Sequence, residues 1–258
     1  MKNCAILVLS CDKYSDLWKP FFHQFWKFWP DCKYPIYLGS NTISYDKDKR
    51  VKTILSGPDK DWSTSLLAIL KNIPEEFIFI WLDDIFLISK TDNEVWASCW
   101  NLLKDRANHI FTVPLPQAKN CKNHDQFGIF EQGEPYRTSV RGFWRKSSLF
   151  SLLLPGETPW NFEIMGSYRC SYSEGFFYLN NPLFSALHVV EKGKIFPEAA
   201  TYCKKEHIPL NISFREVMKG TSYFKSIIKS IIYNTVVKIH WKKRVHLMSN
   251  LRRLLVSY

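Results

Sequence analysis

Two adjacent carboxylates, Asp83 and Asp84, interrupt the apolar run Ile78-Phe79-Ile80-Trp81-Leu82 before it resumes at Ile85-Phe86-Leu87. Paired acids suit hard divalent cations, which take oxygen ligands, keep several waters and bind through one or two carboxylates plus substrate phosphates. A run this rich in Ile and Phe reads as a strand covered on both faces, and ligands gather outside the carboxyl ends of parallel strands of that kind. The pattern therefore predicts acids at a sheet edge, where a metal and a diphosphate would bind. The competing reading is a pair that only caps or solvates a strand end, since acids are rarely buried without a partner.

Such a pair needs a sheet to position it, and the flanking sequence supplies the elements. Ala5 to Leu9 reads as a first strand and Asp16 to Phe28 as a helix dense in rings (Trp18, Phe21, Phe22, Phe25, Trp26, Phe28), ended by Pro30. Pro35 to Gly39 and Val51 to Leu55 read as strands, the second followed by a Gly57-Pro58 break. A helix capped at Asp61 runs to Ile73 with leucine and isoleucine at helical spacing, and it feeds the acid-bearing strand. A helix from Asp92 to Arg106 and a strand from His109 to Leu115 follow. Pro116 to Arg137 is polar and reads as a long loop of the lid or binding kind. Ser139 to Trp144 then reads as a strand, Ser147 to Leu154 as a short helix, and Asn161 to Tyr172 as a helix after a turn at Pro155 to Trp160. This order is that of an α/β domain.

The chain, 258 residues and 30.5 kDa, has room for one large α/β domain or a domain plus a short appendage. A hydrophobic content of 46% with 16% aromatic excludes disorder and predicts ring-lined clefts, which suit sugars and bases. Seven cysteines without CxxC or Cys/His metal spacing predict free thiols and a cytoplasmic address. The N-terminal apolar run ends on Asp12, too short for a leader, and no apolar stretch reaches the roughly 18 residues of a membrane-spanning helix. Of the net charge of +11, eight come from Thr221 to Tyr258, which holds no acid, leaving +3 for the rest. That distribution gives no support to a nucleic-acid groove. The absence of GxGxxG, GxxxxGK[ST], GxSxG and HExxH weakens oxidoreductase, NTPase, hydrolase and zincin readings.

Ser10-Cys11-Asp12 after the first strand, Asp61-Trp62-Ser63 opening a helix, Asp83-Asp84 after a strand, and Pro159-Trp160-Asn161-Phe162-Glu163 about eighty residues on come in an order with a known likeness. The chain resembles the GT-A class of nucleotide-sugar glycosyltransferases, and more narrowly small bacterial transferases of surface-polysaccharide assembly. The resemblance covers roughly residues 5–200. It implies a GT-A-like, Rossmann-type mixed sheet flanked by helices, and transfer of a sugar from a nucleotide-sugar donor, UDP favoured, to a saccharide or lipid-linked acceptor with inversion. It further implies that Asp83 and Asp84 hold the donor diphosphate through Mn²⁺ or Mg²⁺, although the family's second acid position is occupied by Ile85. Glu163 corresponds to the general base, and Trp160 and Phe162 to acceptor-binding rings.

The same resemblance makes Asp12 a candidate for the base or ribose of the nucleotide, against a plain turn cap. Asp61 is a donor contact or a helix cap alone. Arg141, in the basic segment to Lys146, pairs with diphosphate or an anionic acceptor, or belongs to a solvated charge run. His188 is a late metal ligand or a satisfied core histidine, and Lys194 a phosphate contact.

Residues 1–220 are expected to form the catalytic domain and 221–258 a basic amphipathic helical tail, with apolar pairs every four residues and lysines between. Such segments lie on anionic membranes, which predicts peripheral attachment to the inner face of the cell membrane; the alternative is a helix docked on the domain. A rival to the enzyme is a non-catalytic carbohydrate- or lipid-binding peripheral membrane protein on the same fold. A nucleotidyltransferase would want a glycine-rich loop after the first strand, and Ser10-Cys11-Asp12-Lys13-Tyr14 has no glycine.

Overall fold

Side chains alternate across a strand, and in the central strands both faces are apolar, so helices must cover both. In β1 (Cys4–Leu9), Ile6 and Val8 enter one core while Ala5, Leu7 and Leu9 enter the other. The computed structural model describes residues 3–112, 119–121, 124–211, 213–236 and 238–255. After β1 come β2 (Ile36–Ser40), β3 (Val51–Leu55), β4 (Phe77–Leu82), β5 (Ile85–Leu87), β6 (His109–Phe111), β7 (Lys119–Cys121), β8 (His124–Ile129), β9 (Gly142–Arg145) and β10 (Phe176–Leu179). Nine of them form one sheet in the order β3-β2-β1-β4-β9-β6-β10-β8-β7. The half from β3 to β4 is parallel; β9 runs antiparallel to both neighbours, β4 and β6, and β8 antiparallel to β10. A mixed α/β sheet flanked by helices is thus the architecture, as expected.

On one face pack α1 (Trp18–Phe28) and α3 (Asn93–Asp105), whose rings interlock with those of the strands. Trp96 lies 4.8 Å from Phe79, 5.2 Å from Phe143 and 4.3 Å from Trp29, centroid to centroid. On the other face sit α2 (Trp62–Lys71) and α4 (Lys146–Leu152), with Leu66, Ile69, Leu70 and Leu149 against Ile78, Ile80 and Trp144. Beyond α4, a short α5 (Pro159–Asn161) runs through a π-helical turn, Phe162–Gly166, into α6 (Ser167–Arg169).

Two expectations are corrected. The segment from Pro116 to Arg137 is not all loop: β7 and β8 extend the sheet there, residues 116–118 and 122–123 lying outside those described. The polar composition of β7 suits an edge strand, which has only one neighbour to bury it, whereas β8 lies between β10 and β7. The run from Ile78 to Leu87 is two strands, because Asp83-Asp84 forms a turn and β5 leaves the main sheet to pair antiparallel with β11 (Ala186–His188). After β11 come β12 (Val190–Glu191), β13 (Lys194–Ile195) and α7 (Pro197–Lys205). The tail is two helices, α8 (Gly220–Val236) and α9 (Trp241–Leu255); residues 237 and 256–258 of the predicted tail lie outside those described. No described helix is long and apolar enough to cross a membrane.

Candidate active site

The pairing of β5 with β11 sets His188 opposite Ile85, and this brings His188 Nε2 to 3.2 Å from Asp84 Oδ2. The other carboxylate oxygen, Asp84 Oδ1, is buried with no hydrogen-bond partner. Asp83 points inward instead: it is buried, and Ser10, at the end of β1, donates to it while accepting from Trp18 Nε1 at 2.7 Å. Burial first, then the charge of Asp84, push the Asp83 carboxyl well above its ordinary value, against the Ser10 hydrogen bond and the field of Arg215. Arg215 is held by both oxygens of Asp16, at 2.7 and 2.8 Å, with its guanidinium 4.2 Å over Tyr14. Arg215 and Tyr14 are supports that the sequence did not disclose, since 199 residues separate Arg215 from Asp16.

A second cluster forms where the strand leading into β9 meets the π-helical turn. The Thr138 hydroxyl donates to the Glu163 carbonyl at 3.1 Å, and Thr138 N donates to Ser167 Oγ at 3.1 Å. The buried Arg137 donates to the carbonyls of Cys170, Ser171 and Ser173, where a cation complements the C-terminal end of the helix. The clamp fixes Glu163, whose Oε1 accepts from Val140 N at 3.2 Å. Burial raises the Glu163 carboxyl above its ordinary value, restrained by that amide and by Arg141. A π-helical turn widens the backbone locally and is common at functional sites.

Arg141 follows directly and lines the same cavity, about 840 Å³, as Glu163 and His188. Burial pulls its guanidinium down from the usual arginine value, opposed by the charges of Asp84 and Glu163, so it lies within the field of both. No side chain among the described residues accepts a hydrogen bond from it. A desolvated cation flanked by carboxylates yet bonded to neither is a ready partner for an oxyanion. Further parts of the wall come from β5, from Phe111 and Thr112 at the end of β6 and from residues 182–184, including Ile85 and Phe184.

The other predicted residues lie elsewhere. Phe162 is fully buried, packed against Trp62 at 5.6 Å and Trp144 at 6.0 Å, so it cannot wall an acceptor; its ring anchors the Glu163 turn to the core. Lys194 is paired with Glu216 at 2.9 Å and does not line the cavity, because the β12–β13 hairpin turns it outward. Trp160 is 68% exposed, three residues before Glu163 and outside the cavity lining. Asp12 accepts from the backbone of Asn41, Thr42 and Ile43 at 3.0 to 3.1 Å, binding the loop after β2. Burial opposes ionisation there, but the Thr42, Ile43 and Asn41 hydrogen bonds outweigh it and hold the carboxyl below its ordinary value. Asp61 caps α2 through Thr64 N at 2.8 Å and ties in Gly156 N at 3.0 Å; these bonds, that from Thr64 foremost, hold it well below the ordinary carboxylate range.

For a divalent cation, the fit is partial but real. No group of three or more His, Cys, Asp or Glu gathers among the described residues. Asp84 Oδ1, buried and unpartnered, and the adjacent His188 nonetheless present two donors beside the cavity. That suffices for an ion completed by phosphates and water, and an oxygen–imidazole set suits Mn²⁺ better than Mg²⁺.

No protein-family model matches the chain, and no curated protein does. Solved structures of related shape include TarS of S. aureus, 9% identical with a TM-score of 0.45 over 68% of this chain and 36% of that one. The bifunctional IspDF from Campylobacter jejuni is 12% identical with a TM-score of 0.46 over 72% and 52%. The galactosyltransferase LgtC, in complex with donor and acceptor sugar analogues, is 12% identical with a TM-score of 0.40 over 77% and 78%. The chain thus spans about a third of that TarS chain and about half of IspDF, and all three likenesses are distant.

Proposed function

We propose that the protein is a glycosyltransferase that moves a sugar from a nucleotide-sugar donor, a UDP-sugar favoured, to a saccharide acceptor in surface-polysaccharide assembly. The observation that carries this reading is one cavity in which the unpaired Arg141 lies in the fields of Asp84, itself paired with His188, and of Glu163. Ionised Glu163 takes the proton of an acceptor hydroxyl as its oxygen attacks the anomeric carbon; the bond to the diphosphate breaks and its electron pair leaves with the diphosphate, inverting the centre. Arg141 meets the charge that develops on the departing group, and a site emptied of water strengthens that contact. Asp84 and His188 would hold Mn²⁺ or Mg²⁺, which supplies Lewis-acid stabilisation of the same charge. A lipid-linked acceptor at the inner face of the membrane is supported by the tail, where Phe224, Ile228, Ile231 and Ile232 of α8 face solvent.

The test is release of nucleotide from UDP-, GDP-, CMP- and dTDP-sugars with saccharide acceptors, in Mn²⁺, Mg²⁺ or EDTA. Turnover by the wild type that needs metal, and falls at least about a hundredfold in Asp84→Ala and Glu163→Ala, is expected. Silence across all donors would favour the non-catalytic binding protein, and variants as active as wild type would reject these carboxylates.

A further inference from the structure

The cavity has a wall that no part of the catalytic reading uses. Val236, at the end of α8, and Arg244, in the first turn of α9, line it together with Glu134, Pro135 and Tyr136. The tail is seated there by its own contacts: Lys242 pairs with Glu131 at 3.0 Å, Ser226 donates to Glu191 at 2.8 Å, and Trp241 lies over Gly133. Arg244 Nε is buried with no hydrogen-bond partner, and no carboxylate among the described residues forms an ion pair with this guanidinium. The nearby Glu134 takes the Glu131 amide at 2.9 Å and lies in the field of Arg244, which opposes the rise that burial imposes on its carboxyl, but the two form no ion pair. Tyr136, which also lines the cavity, holds a backbone φ of +59°, a left-handed conformation that costs a bulky residue energy and that clusters at ligand sites.

Two arginines on one cavity, neither hydrogen-bonded nor ion-paired to a side chain among the described residues, leave places for two anionic groups. The donor supplies one, its diphosphate, at Arg141. We propose that Arg244 binds the second, an oxyanion carried by the acceptor, so that the C-terminal tail selects an acidic saccharide, either a carboxylated sugar or one bearing a phosphate. This rests on the transferase reading and adds to it the acceptor's chemical class. Arg244 acts on acceptor choice and takes no part in bond making.

The experiment uses the full chain and the donor that turns over. Initial rates are measured with methyl glycosides, the matching uronic acids and the matching sugar 1-phosphates, for wild type, Arg244→Gln, Arg244→Lys and, as a control on the exposed side of α9, Lys243→Gln. Wild type is expected to favour one charged class over its neutral parent by about tenfold in kcat/KM, mostly through KM, as one charge-assisted contact allows. The ratio should fall near one in Arg244→Gln, recover in part in Arg244→Lys and stay at the wild-type value in Lys243→Gln. Which class is favoured distinguishes carboxylate from phosphate. Equal rates for charged and neutral acceptors in wild type, or an unchanged ratio in Arg244→Gln, would overturn the inference while leaving the transferase standing. Release of nucleotide from no donor with any acceptor would instead remove the transferase reading, and this one with it.

Discussion

At the scale of single residues, the candidate chemistry depends on what burial does to Glu163. Its ordinary carboxyl value is 4.5, and the folded value lies above it because desolvation exceeds the help of the Val140 amide and Arg141. A base must be ionised to accept a proton, so activity is retained above the raised value and lost as pH falls through it. The acid limb of kcat against pH is therefore expected above 4.5, and Arg141→Ala, which removes a stabilising cation, should move it higher still. Glu163→Gln should cost about 10²- to 10⁴-fold in kcat and abolish the limb. An acid limb that stays in place in Arg141→Ala would mean another group titrates. Glu163 could be singled out from its place after Pro159-Trp160-Asn161-Phe162, but the clamp of Thr138 and Ser167 that orients it could not, since those residues are 29 apart in the chain.

At the scale of elements, β9 matters most, because it anchors Arg141, the residue directly before it, and is hydrogen-bonded between β4 and β6. It begins at Gly142, with φ of +155°, where an added Cβ would stand 2.6 Å from His109 Cε1 and 2.7 Å from the Ile110 carbonyl. His109 cannot readily yield, being fully buried with its ring stacked on Trp144 at 3.8 Å. Gly142→Ala should then cost about 1–3 kcal/mol in denaturant unfolding and lower activity by displacing Arg141. A variant as stable as wild type would show that β9 can shift freely. The strand expected from Ser139 to Trp144 forms as Gly142–Arg145, so its existence was legible but its start lies three residues later, and the helices covering its neighbours were legible from their rings. The edge strand β7 and its neighbour β8 were not, because their polar sequences lack the apolar alternation that marks a strand.

At the scale of the molecule, helix α8 of the tail has one side toward the body and one toward solvent. Tyr223, Ser226, Ile227 and Ser230 of α8 line a hollow with His188 and Phe196 of the body, while Phe224, Ile231 and Ile232 are the most exposed apolar residues of the helix. The proposed attachment to an anionic bilayer draws on that outer face and on the basic residues of 221–258 other than Lys242, paired with Glu131, and Arg244, in the cavity wall, each cation near such a surface contributing about 1 kcal/mol. The chain should co-sediment with vesicles containing phosphatidylglycerol and be released by high salt. The double substitution Ile231→Asp with Ile232→Asp, on residues 59% and 56% exposed, should weaken binding at least about tenfold without unfolding the protein. Retained sedimentation in that variant would reject the membrane face.

The sequence alone determined what is local: strands from apolar runs, helices from caps and spacing, the carboxylates at the turn after a buried strand, and a tail whose charge differs from the rest. These follow from periodicity and residue chemistry, which neighbours in the chain express directly. Only the tertiary structure decided which of those groups share a cavity. It turned Asp83 inward to Ser10 and left Asp84 beside His188, 104 residues away; it buried Phe162, sent Lys194 to Glu216 and set Arg244 on the cavity wall. Such pairings depend on strand order and on how a returning helix packs, which no local pattern encodes.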